Sequence, residues 1–176
     1  MFEPVLREVP FEWLDGLSRE AARAALFRCC ASTRWVEGML ARRPFRSSAA
    51  VRQAAREIWA GLGRSDYLEA FAGHPPIGAS IDALRAKFGA TQSWSAEEQA
   101  GVGGADERTL IALERGNRAY LKRFGYIFIV CAAGKSAPTL LALLTARLLN
   151  SPERELAVAA AEQAKITELR LEKLRA

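Results

Sequence analysis

The chain contains a single histidine, His74, in 176 residues. Any imidazole chemistry must use that residue, because imidazole is the side chain whose ordinary pKa lies nearest neutrality. There are only three cysteines, Cys29, Cys30 and Cys131. An odd count with two adjacent builds no disulfide framework and suits a reducing cytoplasm. With no Cys-x-x-Cys pair and one histidine, no zinc site is expected, and no metal. No basic surroundings mark the thiols as reactive, so Cys29 and Cys30 read as core. No apolar run reaches the ~20 residues of a membrane span, so no membrane association is expected. Runs of Val, Ile and Thr are scarce, which argues against a sheet, while Ala, Leu, Arg and Glu favour helices. The opening Met1-Phe2-Glu3-Pro4 lacks a basic stretch followed by an apolar one, and Leu174-Arg175-Ala176 is not a peroxisomal tripeptide. A cytoplasmic location is the resulting expectation.

What is present fits one all-α, multi-helix domain over residues 1–176, long enough to bury a sizeable core. The net charge of +5 is uneven, with seven Lys/Arg against the lone acid Glu114 between Arg108 and Asn150. A basic region attracts nucleic acid or a small anionic substrate. The rest of the chain mixes both signs without interleaved aromatics, so no nucleic-acid partner is expected.

Capping and periodicity place the helices. Ser18 caps one running to about Ser32, with Leu26, Cys29 and Cys30 inward. Trp35, Met39 and Leu40 form a short segment ending before Pro44. Ser47 or Ser48 caps the next, with Val51, Ala54, Ala55, Ile58, Trp59 and Leu62 on one face and Gly61 and Gly63 at its end. Tyr67, Leu68 and Phe71 lie in one further turn. Ser80 caps a helix over Ile81–Phe88, and Ser95 opens another after a turn at 89–94. Asp106 caps a long helix carrying Leu110, Ile111, Leu113, Tyr120 and Leu121. Phe124–Cys131 is the one strand-like run; lacking a partner, it is expected to be a buried connector. Helices from about Ala137 to Leu149 and from Pro152 to Leu174 close the chain, the second with Ser151 as cap and proline at its first position.

Two short motifs could carry chemistry. In Gly73-His74-Pro75-Pro76-Ile77-Gly78, the prolines stiffen the backbone around the imidazole at a helix end. This can be an acid/base or a simple helix-ending turn. In Ser95-Ala96-Glu97-Glu98-Gln99, Ser95 and Glu98 can form a capping box. They can also present a carboxylate and an amide to a pocket. Ala133-Gly134-Lys135-Ser136 resembles part of a phosphate loop, but Ile129 stands where the pattern needs glycine, so nucleotide binding is not expected. Arg170 has no acidic residue four positions earlier, and a guanidinium is the natural clamp for a carboxylate.

Seven segments together carry a resemblance: Cys30-Ala-Ser-Thr-Arg-Trp35, Arg43-Pro44-Phe45, Gly73-His-Pro-Pro-Ile-Gly78, Trp94-Ser-Ala-Glu-Glu-Gln99, Asn117-Arg-Ala-Tyr120, Phe124-Gly-Tyr-Ile-Phe-Ile-Val130 and Glu162-Gln-Ala-Lys-Ile166. Their order and spacing, from about residue 10 to 174, resemble the 2-oxo-4-hydroxy-4-carboxy-5-ureidoimidazoline (OHCU) decarboxylases of urate degradation. The resemblance implies an all-helical, homodimeric, cofactor-independent carboxy-lyase that makes (S)-allantoin. It implies His74 as catalytic acid/base and Glu98 as the second catalytic group. It also implies substrate contacts from Pro75, Ser95, Gln99, the segment Phe128, Ile129, Val130, Cys131 and Ala132, and Arg170. A binding module for a ureido or purine-like ligand on the same fold, and a helical interaction protein presenting the basic stretch, are the alternatives.

Overall fold

The computed structural model describes residues 8–75, 80, 82, 84, 86 and 106–174. Among these residues eight helices have described bounds, and there is no strand. They are α1 (Phe11–Gly16), α2 (Arg19–Cys29), α3 (Thr33–Ala41), α4 (Ser48–Ala60), α5 (Arg64–Ala72), α6 (Glu107–Phe124), α7 (Ala137–Arg147) and α8 (Pro152–Glu172). The all-α class expected from composition is the class observed. Of the segment expected to follow Ser80, Asp82, Leu84 and Ala86 are helical, and the Leu84 amide donates to the Ser80 carbonyl at 3.1 Å. The turn at 89–94 and the helix from Ser95 lie outside the described residues. Among the described residues, no helix is long and apolar enough to cross a membrane.

The chain divides into two compact units, Met1–His74 with Ala160–Ala176, and Pro75–Ala159. In the first unit, serines open the helices. The hydroxyls of Ser18, Ser32 and Ser47 accept from the amides of Ala21, Trp35 and Ala50 at 3.2, 3.4 and 3.0 Å. Each satisfies a first-turn amide that has no intrahelical partner, typically worth about 1 kcal/mol. The Ser32 cap explains why α2 stops at Cys29 rather than at Ser32. Cys30 turns extended, at φ −147°, and frees Ser32 to start α3. Around Tyr67 the structure has nine helical residues instead of one turn. Asp66 causes this by accepting the Gly63 amide at 3.0 Å and starting α5 early. The short α1, which the periodicity does not reveal, buries Leu14.

Leu14, Leu26, Trp35 and Met39 are fully buried in this unit's core. Each aliphatic side chain so buried contributes roughly 1.5–3 kcal/mol. Trp35 donates its indole N–H to the Ala55 carbonyl at 3.1 Å, and Trp59 donates to the Ala160 carbonyl at 3.0 Å. Arg52 pairs with Glu172 at 3.0 Å, both nearly buried. These contacts tie α3 to α4 and α4 to the C-terminal part of α8.

The second unit is built on α6. Asp106 accepts the Thr109 amide at 2.8 Å, and Gly125, at φ 79°, ends the helix in the left-handed region that suits glycine. Leu121, expected on the inner face, is 49% exposed instead, whereas Leu110, Leu113 and Tyr120 are buried. Phe124 closes α6, and from Tyr126 to Cys131 the chain is a non-helical connector. Tyr126, Phe128, Ile129, Val130 and Cys131 are buried, as the sequence leads one to expect. Ser136 caps α7, which ends at Arg147, two residues before the expected Leu149. Ser151 caps α8, its hydroxyl accepting from the Arg154 amide at 3.3 Å. Arg147 and Glu155 pair in the interior at 2.6 Å.

One close approach governs where α5 ends. A Cβ added at Gly73 would stand 2.4 Å from the Ala31 Cβ. Gly→Ala at a compatible φ gains about 0.4–1 kcal/mol through the unfolded chain, while overpacking costs about 1–3 kcal/mol, and at this distance overpacking wins. Gly73→Ala is therefore expected to lower the urea midpoint, and Ala31→Gly in the same chain to restore most of the loss. Equal midpoints for Gly73→Ala and the wild type would show that the α5 terminus is free to shift.

Candidate active site

His74 follows the last turn of α5, its amide donating to the Phe71 carbonyl at 3.1 Å. The stiff backbone that the prolines predict there presents a half-buried imidazole. Both ring nitrogens are engaged by α8. Nε2 lies 2.6 Å from Gln163 Oε1, and Nδ1 lies 3.3 Å from a terminal nitrogen of Arg170. The other terminal nitrogen of Arg170 donates to the carbonyls of Arg28 and Cys29, at 3.3 and 3.4 Å. Those are among the last carbonyls of α2, which have no helical donor and carry the partial negative charge of a helix end.

Burial holds the His74 pKa below its ordinary value; the hydrogen bond to Gln163 works against this, and the nearby charge of Arg170 reinforces it. The ring is therefore neutral at pH 7 in the unliganded protein. A carboxylate entering beside Arg170 would offset the effect of that charge.

Of the expected site residues, the structure brings His74 and Arg170 together although 96 positions separate them. Pro75 is exposed. Ser95, Glu98 and Gln99 lie outside the described residues. Phe128, Ile129, Val130 and Cys131 are buried in the connector of the second unit, with Ala132 partly buried. That connector is held by side chains on its carbonyls. Arg147 donates to the Ile129 oxygen at 2.7 Å, and Lys135 donates to the Cys131 oxygen at 2.7 Å. A buried segment with no helical ladder of its own needs such donors for its carbonyls.

Two contacts escape the sequence reading. Gln163 is fully buried and touches the imidazole, and Thr167 holds Gln163. The signal was present in their spacing. Residues 163, 167 and 170 stand at i, i+4 and i+7, so three polar side chains share one face of a helix. The thiols also need correcting. Arg170 and Arg28 both lie near Cys29, contrary to the expectation of no basic surroundings. Burial outweighs them and pushes the Cys29 pKa up to about 12 and that of Cys30 to about 11, so both thiols stay protonated core groups.

Arg170 also lines an open pocket of about 710 Å³ with Arg28, Cys29, Lys173, Trp13 and Leu17. His74 is not among its lining residues, so the pocket alone is not a reaction site. Three cations around an apolar floor make it attractive to anions.

The family model described as OHCU decarboxylase matches residues 15–172. The uric acid degradation bifunctional protein of Arabidopsis thaliana is 38% identical over 148 residues, covering 83% of this chain and 45% of that protein. The 2-oxo-4-hydroxy-4-carboxy-5-ureidoimidazoline decarboxylase of Amia calva is 34% identical over 99 residues, 56% of this chain and 55% of that one. This chain thus spans about half the length of the curated relatives it matches. A crystal structure of OHCU decarboxylase in the presence of (S)-allantoin superposes with a TM-score of 0.67 at 34% identity, covering 89% of this chain and 97% of that one. The crystal structure of (S)-allantoin synthase, at 20% identity and a TM-score of 0.66 over 92% of this chain and 52% of that one, shares the fold.

The lowered pKa gives a direct test. Protonation of the folded ring must occur at lower pH than in free imidazole. The ring carbon-bound protons of His74, the sole histidine signals, are expected to titrate by NMR with a midpoint below the ordinary value. Arg170→Met is expected to move that midpoint upward, because it removes a positive charge from beside the ring. A wild-type midpoint at or above the ordinary value would contradict the burial argument.

Proposed function

The chain belongs to the OHCU decarboxylase family, and from that premise we propose that it decarboxylates 2-oxo-4-hydroxy-4-carboxy-5-ureidoimidazoline to (S)-allantoin in urate degradation. The observation that carries the reading is the contact between the sole imidazole and the Arg170 guanidinium at 3.3 Å. An acid/base group and a carboxylate clamp stand together there.

The reaction needs no redox partner. The bond to the carboxylate carbon breaks, CO2 leaves, and its electron pair remains on the ureidoimidazoline ring. A proton is then added to that carbon. Each turnover of the carboxylate releases one CO2 and consumes one proton, which His74 delivers to one face and recovers from water. Proton transfer of this kind typically contributes ~10²–10⁴-fold in rate. Arg170 attracts the anionic substrate, whose charge raises the protonated fraction of His74. Backbone groups of Phe128–Ala132 and the Gln99 amide stabilise charge developing on the ring, with Pro75 and Ser95 as further contacts. Glu98 anchors the substrate hydroxyl or orients the imidazole. The same reading includes a homodimer, a single domain over residues 1–176 and a cytoplasmic location, where three free cysteines are at home.

The test is circular dichroism of allantoin. Urate is oxidised in situ, the hydroxyisourate is hydrolysed, and the protein is added. Optically active (S)-allantoin is expected to appear rapidly with the wild type. His74→Asn is expected to lose ~10²–10⁴-fold in rate while keeping its helical spectrum. Glu98→Gln is expected to lose more turnover than stability. Racemic product at the spontaneous rate with bound allantoin would instead support the non-catalytic binding module.

A further inference from the structure

We propose that Gln163 and Thr167 are positioning residues that lock His74 in its Nε2–H tautomer and make Nδ1 the nitrogen that takes up and hands over the proton. The tautomer follows from two independent arguments that meet at the ring. From one side, a guanidinium only donates. Nδ1 faces Arg170 at 3.3 Å, so Nδ1 accepts, and the single proton of the neutral ring is on Nε2. From the other side, the Thr167 hydroxyl has one proton, which it donates to the Gln163 main-chain carbonyl at 3.0 Å. Toward the Gln163 side-chain amide, 3.1 Å away, it therefore accepts. The amide NH2 is committed to Thr167, and its oxygen is turned to His74 at 2.6 Å. An oxygen there needs a donor, again Nε2–H.

A flipped amide would set its NH2 against Nε2 and leave its oxygen facing a hydroxyl already committed elsewhere. The ring would then carry its proton on Nδ1, against a guanidinium that cannot accept it. Gln163 is fully buried and Thr167 nearly so, so water cannot repair such a mismatch. The Cys30 thiol, kept protonated by burial, is hydrogen-bonded to the same Thr167 hydroxyl; as an S–H it donates to that oxygen and leaves the hydroxyl proton to the Gln163 carbonyl. Gln163 thus does for this ring what an orienting carboxylate does elsewhere, without adding a negative charge that would raise the imidazole pKa. The geometry also gives Arg170 a second task. It occupies Nδ1 in the free protein, and a substrate anion that draws the guanidinium away releases the lone pair as the substrate arrives.

The catalytic part of this inference rests on the decarboxylase reading; the tautomer does not, and is measured without substrate. Long-range proton–nitrogen NMR of the sole histidine reports both ring nitrogens. The wild type above its pKa is expected to show a protonated Nε2 and an unprotonated Nδ1. In Gln163→Leu and in Thr167→Val the two nitrogens are expected to move toward averaged values. In Gln163→Leu, kcat should fall at least tenfold with KM changed less than about twofold. Gln163→Glu, whose carboxylate also accepts from Nε2–H, should restore the tautomer above the raised pKa of the ring and, because His74 acts as a proton donor, shift the alkaline limb of the pH–rate profile to higher pH. A wild-type ring protonated on Nδ1, or ring nitrogens unchanged in both Gln163→Leu and Thr167→Val, would overturn the inference even if (S)-allantoin forms. A locked ring with no (S)-allantoin would overturn the decarboxylase reading and leave the tautomer assignment standing.

Discussion

Three pieces of the first unit are joined by one cation. The guanidinium of Arg170, on α8, caps the carbonyl end of α2 and touches the imidazole at the end of α5. A guanidinium suits this post because it is always charged and offers five donors in a fixed plane. A lysine could satisfy the helix end, but its compact ammonium lacks the two separated faces this arrangement uses. Most surface cations contribute little to stability. This one is half-buried, and two of its partners are main-chain oxygens at the end of α2. Removing it would unsettle a helix terminus and the imidazole together, so the local fold and the chemistry share one anchor.

Much of this architecture was legible because capping is local. Ser18, Ser47, Asp106 and Ser151 each announce a helix within four residues of themselves, and each does cap one. His74 was legible because it has no competitor and sits among prolines. The partners of Arg170 were not, since main-chain carbonyls carry no side-chain signature. A resemblance could point to Arg170, but only the fold shows that α2 supplies two of its acceptors. The exposure of Leu121 was missed for a related reason. Periodicity identifies an apolar stripe but not how wide a strip the neighbouring elements cover. Glu98, Ser95 and Gln99 stand on the resemblance alone.

The second unit solves a different problem. Among the described residues its connector has no strand partner, and it is not helical, yet its side chains are buried. Arg147 supplies what secondary structure does not. One terminal nitrogen bonds the Ile129 carbonyl, while the other and Nε bind Glu155, and the guanidinium lies 4.6 Å from the Phe128 ring centroid. Tyr120 and Asn150 add their donors to Glu155. Replacing a buried ion pair with well-packed apolar residues is often neutral for stability. An apolar replacement here would still leave the Ile129 oxygen without its donor. The network is thus best understood as holding a chain path, with its contribution to stability a secondary matter.

The buried thiols give the protein an internal clock. With pKa values near 12 and 11, Cys29 and Cys30 expose almost no thiolate at neutral pH, and solvent barely reaches either sulfur. A thiol reagent can modify them only when their unit opens, so the rate of labelling measures opening rather than intrinsic reactivity. Cys131 sits in the other unit and is also buried. One chain therefore carries separate reporters for each half, and mass spectrometry of partly labelled protein would reveal whether the halves breathe together or apart.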